Sequence, residues 1–298
     1  MTICGCKKTN GAVLLLSICI LAGALLLTSC ELNYHDSLNN GSYLSNGLTF
    51  PEDPRYRYTY SVAEYLGEET YEQYLSDDGT RFRSLLGFYD ALVGSEQLTF
   101  ASFAGNTVEL LNVEVPRNCV EEYGTEFEKD SYYKIEGEPA VATKAIQVFE
   151  PFLDLFPLEI EEGRDFTESD YHFFQNKRVP VILGSAYKDS YHIGDVFEGY
   201  YIFERVAFEV VGIAKSGGVF YNKQVGGLDL YDSFIIMPFA KVTTDSPFGR
   251  IVLLQEICGF MTAENGRDAA EEQYRKYLIN SGLSDWQEQI VINTKAIR

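Results

Sequence analysis

No two histidines in this sequence stand close enough to hold a metal from one helix. There are three, His35, His172 and His192, and none forms the H-x-x-x-H or H-E-x-x-H spacing that puts two imidazoles on one face. Each reads as a surface side chain. A G-x-S-x-G nucleophile turn is also missing, and Ser216-Gly217-Gly218 lacks the Gly-Lys-Ser/Thr that a phosphate-binding loop needs. The sequence therefore predicts no catalytic residue, no metal ligand and no cofactor. Basic residues are also in short supply, 24 Lys and Arg against 44 Asp and Glu. All the acids follow Cys30 while Lys7 and Lys8 precede it, so the part after residue 30 carries 22 basic against 44 acidic residues, a net of −22. Such a surface repels nucleic acid, which excludes it as a partner.

Long apolar runs are absent after residue 30, so the chain has at most one membrane span. The single run, Gly11 to Cys30, is uncharged over 20 residues. As a helix it would be about 30 Å long, the hydrocarbon thickness of a bilayer. Lys7 and Lys8 precede it and no Lys or Arg follows until Arg55, which puts the N-terminus in the cytoplasm and the rest outside. Leu27-Thr28-Ser29-Cys30 resembles a lipobox, in which Cys30 would carry the lipid after cleavage. The other reading makes residues 1–30 an uncleaved transmembrane helix, with Cys30 a small membrane-compatible residue like Cys4, Cys6 and Cys19. Both readings tether the folded part to the outer face of the cell membrane.

That leaves two cysteines in the exported part, Cys119 and Cys258. An oxidising compartment permits a disulfide between them, and two buried free thiols are the alternative.

The most ordered stretch is residues 154–213. Leu158-Glu159-Ile160 leads into Gly163-Arg164-Asp165-Phe166, where a short strand ends in a glycine turn and Thr167 is placed to cap a helical turn. Val179 to Leu183 reads as a strand stopped by Gly184, Ile193-Gly194-Asp195 as a turn, and Val206 to Ile213 as a buried strand. Glu159, Glu161, Glu162, Asp165, Glu168 and Asp170 crowd the first turn, and without calcium-loop spacing they read as a solvated acidic face with Arg164 as its structural partner.

Around this stretch, residues 31–54 read as a linker rich in Asn, Gly and Pro. Arg55 to Val62 alternates Tyr56, Tyr58, Tyr60 and Val62 on one face, which predicts a strand. A short helix is expected within Glu64 to Leu75, and a second after Asp78 or Thr80, carrying Phe82, Leu85, Leu86, Tyr89 and Leu92 up to Gly94. Leu98 to Ala104, Val108 to Val115 and Ala140 to Val148 are β segments around a turn-rich acidic insert, Glu121 to Asp130. Later, Phe234 to Pro238 and Ile251 to Ile257 read as strands, Glu264 to Ser281 as a helix stopped at Gly282, and Ile290 to Ile292 as a closing strand.

The order Gly163-Arg164-Asp165-Phe166, Val179 to Gly184, Ile193-Gly194-Asp195 and Phe208 to Ile213 resembles the MacB-like core domain of FtsX-type ABC transporter permeases. The resemblance covers about 60 residues. It implies an α+β fold: a ferredoxin-like lobe of two strand-helix-strand halves, residues 55–148 and 249–298, separated by an inserted mostly-β lobe, residues 149–248. It further implies a non-catalytic extracytoplasmic domain that contacts partners and relays movement driven by a cytoplasmic ATP-binding subunit, alongside other permease subunits. The chain ends at Arg298, where such permeases continue into further transmembrane helices. A truncated permease, one part of a split permease, or a stand-alone relative are the forms this leaves. The reading from another class is a surface lipoprotein of the same fold that binds an envelope component or a protein.

Overall fold

The computed structural model describes residue 48, residues 52–293 and residue 297. The anchor segment with Cys30, and most of the linker, lie outside the described residues.

The first ordered turn corrects the expected strand at Arg55. Pro54–Tyr58 is a 3₁₀ turn, because Asp53 accepts from the Arg55 amide and Pro54 fixes φ at the first helical position. Tyr56 is buried there while Tyr58 is exposed. The strand β1 begins one residue later (Thr59–Glu64) and is central, with Val62 opposite both Gly259 and Ile292. Two helices follow, α1 (Glu68–Ser76) and α2 (Thr80–Val93). Asp77 prepares the start of α2 by accepting from the amides of Gly79 and Arg81. Phe82, Leu85, Phe88 and Leu92 form its buried stripe at helical spacing.

Next come β2 (Thr99–Ala104), β3 (Val108–Leu111), β4 (Tyr132–Ile135), β5 (Glu138–Thr143), β6 (Ala145–Val148) and the short α3 (Glu150–Leu155). The ordered stretch supplies β7 (Ile160–Gly163), β8 (Arg178–Leu183), β9 (Val196–Tyr201) and β10 (Glu204–Ala214). A hairpin of β11 (Val219–Asn222) and β12 (Gly227–Leu230) precedes β13 (Ile235–Pro238).

The last part is α4 (Pro247–Glu256), β14 (Gly259–Thr262), α5 (Arg267–Asn280) and β15 (Ile290–Ile292). Here the expected strand Ile251 to Ile257 is a helix. Ser246 caps it by accepting from the Gly249 amide, Pro247 occupies its first turn, and Phe248, Val252, Leu253 and Glu256 are buried. The β-branched run that reads as a strand is the apolar face of this helix.

Among the described residues, thirteen strands form one curled mixed sheet in the order β15-β1-β14-β2-β6-β13-β8-β10-β9-β3-β5-β4, with β7 added against β10. β10 with β8 and β13 with β6 run parallel, and the other pairs are antiparallel. Strand β2 joins two regions of this sheet. Its Ser102 sits opposite Gly259 of β14, and its Phe103 opposite Val148 of β6. On one side α2 and α5 pack with Tyr60, Val62, Trp286 and Leu253 into one core. On the other, Val179, Val181, Phe197, Tyr201, Phe208 and Met237 form a second. A third, strongly aromatic core lies under α3 and the β11–β12 hairpin, where Phe103 stacks on Phe152 at 5.1 Å and Phe220 on Tyr231 at 4.7 Å.

Candidate functional site

Several titratable side chains fall into structural pairs. Asp170 is buried and holds Arg164 by a two-pronged pair, 2.6 Å to Nη1 and 3.1 Å to Nη2. The same carboxylate accepts from the Thr167 amide at 2.7 Å and the Thr167 hydroxyl at 2.8 Å, so Asp170 reaches back to secure the turn. Burial pushes the Asp170 carboxyl up, but the bonds from Arg164 and Thr167 outweigh it and leave it below the usual carboxylate range. Its neighbours face different partners: Glu161 and Glu162 pair with Lys188, and Glu159 with Lys215. Four of the six acids at the turn are thus paired with Lys188, Lys215 or Arg164, and no cluster of His, Cys, Asp and Glu among the described residues is arranged to hold a metal.

The sequence is expected to contain no S-x-x-K spacing of the kind associated with nucleophilic chemistry, but it holds two, Ser131-Tyr132-Tyr133-Lys134 and Ser185-Ala186-Tyr187-Lys188. Lys188 is half-buried, and its bond to Glu161 pushes its ammonium upward in pKa, opposite to what a general base needs. His192 is exposed beside Asp195 at 3.7 Å. His172 borders a small cleft of about 110 Å³ with Lys241, Thr243, Thr244 and Ser246, where Ser246 is already engaged as the cap of α4.

Cys119 and Cys258 are free thiols. Cys119 lies in the core built on β8 to β10 and Cys258 packs against the core of α2 and α5, so the fold keeps them on different sides of the sheet junction rather than joined by a disulfide. Burial pushes each thiol up to about 11.

What the described surface does offer is an aromatic rim. β4 is the last strand of the sheet, and Tyr132, Tyr133 and Lys134 are exposed on it. Tyr123, Phe127, Tyr132 and Tyr133 are four of the eleven large exposed hydrophobics, concentrated within eleven residues rather than scattered singly, and Phe127 is 54% and Tyr132 52% exposed. The loop that presents them is braced. Glu128 accepts from the Gly124 amide at 2.9 Å and pairs with Arg117, whose guanidinium lies 5.6 Å from the Tyr123 ring. Lys144 reaches the same ring at 5.7 Å.

A second exposed aromatic stands on the β9–β10 hairpin. Tyr201 pairs with Glu204, leaving a two-residue turn, Ile202-Phe203, with both residues at positive φ (45° and 66°). Such turns favour Asn-Gly, and a β-branched residue there is strained. At the tip of this turn Phe203 is 50% exposed. No sequence signal marked these residues as surface, since aromatic side chains default to the core.

A family model described as the MacB-like periplasmic core domain matches residues 72–276. The chain belongs to this family. As expected of the MacB-like core domain, the model match takes in all four motifs between Gly163 and Ile213. Among solved structures, this MacB-like chain is similar to the periplasmic region of MacB from Actinobacillus actinomycetemcomitans, at 12% identity and a TM-score of 0.43 over 81% of this chain and 92% of that one. It is also similar to the extracellular domain of the noncanonic ABC-type transporter YknZ from Gram-positive bacteria, at 13% identity and a TM-score of 0.40 over 79% of this chain and 100% of that one. No curated protein matches the sequence. Among the described residues no helix is long and apolar enough to cross a membrane.

Proposed function

We propose that this MacB-like domain is the non-catalytic, extracytoplasmic part of an ABC transporter permease, which contacts partners outside the membrane and relays movement between them and the transmembrane helices. The observation that carries the contact role is the braced aromatic rim of Tyr123, Phe127 and Tyr132 on the edge strand β4, together with the strained Phe203 tip. Its proposed partners are an ATP-binding subunit acting through the membrane and other permease subunits. The segment before Cys30 anchors the domain in the cell membrane in this reading.

The relay reading divides the chain as a ferredoxin-like lobe, residues 55–148 and 249–298, and an inserted β-rich lobe, residues 149–248. The antiparallel order β15-β1-β14-β2, with α2 and α5 packed on it, supports the first lobe. β3 to β5 pair onward from β9, so in this division residues 108–143 extend the sheet of the inserted lobe.

A photo-crosslinking residue at Phe127, Tyr132 or Phe203, compared with exposed Ile279 on α5, tests the contact role in cells. Adducts to an envelope protein from the rim and none from Ile279 are expected. Equal labelling from all four positions would remove the rim as the contact surface.

The second reading, a surface lipoprotein of the same fold, is favoured by Leu27-Thr28-Ser29-Cys30. The intact mass of the mature protein separates the two: a lipidated Cys30 at the new N-terminus supports the lipoprotein, and a retained Met1 segment excludes it.

A further inference from the structure

Where the two regions of the sheet meet, one buried carboxyl oxygen has been left without a hydrogen-bond partner. Glu256, the last residue of α4, is 2% exposed and its Oε2 has no hydrogen-bond partner. Tyr89 and Asp90 of α2 and Tyr201 of β9 are near enough to couple to it electrostatically, and Ser102 of β2 bonds its backbone. Ser102 is committed to the Glu256 backbone carbonyl at 2.8 Å, and Tyr89 donates or accepts no closer than 3.5 Å from Ser102. The Tyr201 hydroxyl is itself buried and unpartnered. Two buried polar groups, one on α4 and one on β9, are therefore left without hydrogen-bond partners, against the general rule that buried polar atoms are satisfied.

The contrast with the preceding residue is informative. Gln255 exchanges bonds with Asn106 at 2.8 and 3.1 Å, and Asn106 in turn binds buried Gln147 of β6 at 2.7 Å. The junction can thus satisfy an amide at one position while leaving a carboxyl bare at the next. It is also thin: β2 meets β6 through two residue pairs, Phe103 with Val148 and Ala104 with Gln147. Burial strongly disfavours the charged form of Glu256, and Asp90 adds to that.

We infer that Glu256 is a proton-controlled latch across the junction of the sheet, neutral while α4 and β9 stay packed and charged only when they part and its carboxyl meets water. The device does not depend on which partner the domain contacts. The packed state holds a proton that the parted state releases above the ordinary Glu value of about 4.3, so parting becomes easier as pH rises, by up to about tenfold per unit. The other acidic group near the site, Asp90, further disfavours a negative charge on Glu256 in the packed state.

Native-state hydrogen exchange, corrected for intrinsic rates, tests this between about pH 5 and pH 8. The amides to follow are Phe103, bonded to the Cys258 carbonyl, and Phe149, bonded to the Ser102 carbonyl, with Val181 and Val210 as references in the far core. In the wild type, protection at Phe103 and Phe149 is expected to fall with pH while the references stay level. Glu256→Gln, which cannot ionise, is expected to flatten that fall, and Tyr201→Phe to leave it in place. An equal fall at the references would mean that only global unfolding exposes Glu256, and would overturn the latch. An unchanged slope in Glu256→Gln would do the same. If Glu256→Gln does not fold, the wild type decides: level protection at Phe103 across this range rejects the proposal.

Discussion

Gly163 and Gly212 sit directly opposite each other where β7 pairs with β10. A Cβ on Gly163 would stand 2.3 Å from the Val211 carbonyl oxygen, and one on Gly212 would stand 2.6 Å from the Arg164 carbonyl oxygen. The Gly-Arg turn and the Val-Val-Gly-Ile strand are thus two sides of one backbone contact, which is why they occur together. Gly163 also has φ at +79°. Gly163→Ala is expected to cost about 2 to 4 kcal/mol, combining left-handed strain with a backbone clash. Gly194→Ala, at φ +89° but in open space, should cost only about 1 kcal/mol. Urea unfolding of the two variants measures the difference, and equal losses would contradict the close-contact account.

The Arg164–Asp170 pair makes a pH prediction. Asp170 is held below its ordinary value, so the stability it contributes is fully present above the unfolded value of about 3.9 and is lost as pH falls through the lower folded value. Asp170→Asn is expected to lose about 2 kcal/mol at neutral pH and to flatten the acid limb. Denaturant midpoints of both proteins from neutral to acid pH test this; parallel curves would show that the pair contributes nothing.

Arg250 is the most enclosed ion-paired cation among the described residues, its side chain 7% exposed. It binds Asp77 at 2.8 Å and Asp245 at 2.8 Å, donates to the Tyr74 carbonyl, and ties α4 to the turn between α1 and α2. Removing it leaves two carboxylates facing an empty fork. Arg250→Met is expected to cost about 3 to 5 kcal/mol, and Arg250→Lys to recover little because an ammonium lacks the planar fork. Thermal unfolding of both variants would reveal the opposite if lysine restored the wild-type midpoint.

Cys119 and Cys258 should remain unreacted in the folded protein. With both thiols pushed up to about 11 and shielded by packing, alkylation near pH 8 is expected to be slow in buffer and rapid in urea, with no change in mobility on a non-reducing gel. Rapid labelling in the folded state, or a faster-running oxidised band, would contradict the packing described.

The local motifs were legible because short-range chemistry determines them. The Gly turns, the apolar run Val179 to Leu183 and the run Val206 to Ile213 need no distant partner to be read. Where reading failed, a residue just upstream decided the outcome: Ser246 and Pro247 make Ile251 to Ile257 a helix, and Asp53 with Pro54 delays β1 to Thr59. Pairing of β3 onto β9 depends on register between residues as far apart in sequence as Glu109 and Tyr200, which local pattern does not carry. The rim was hidden for another reason. Tyr123, Phe127, Tyr132 and Phe203 are outward, on a braced loop, an edge strand and the tip of a tight turn, against the preference of aromatic side chains for the core.

Affinity purification of the full chain from membranes in mild detergent tests the central claim most directly. The account predicts that an ATP-binding subunit or a multi-span permease chain is recovered with it. Recovery of neither, with the protein folded and membrane-bound, would contradict the transporter reading.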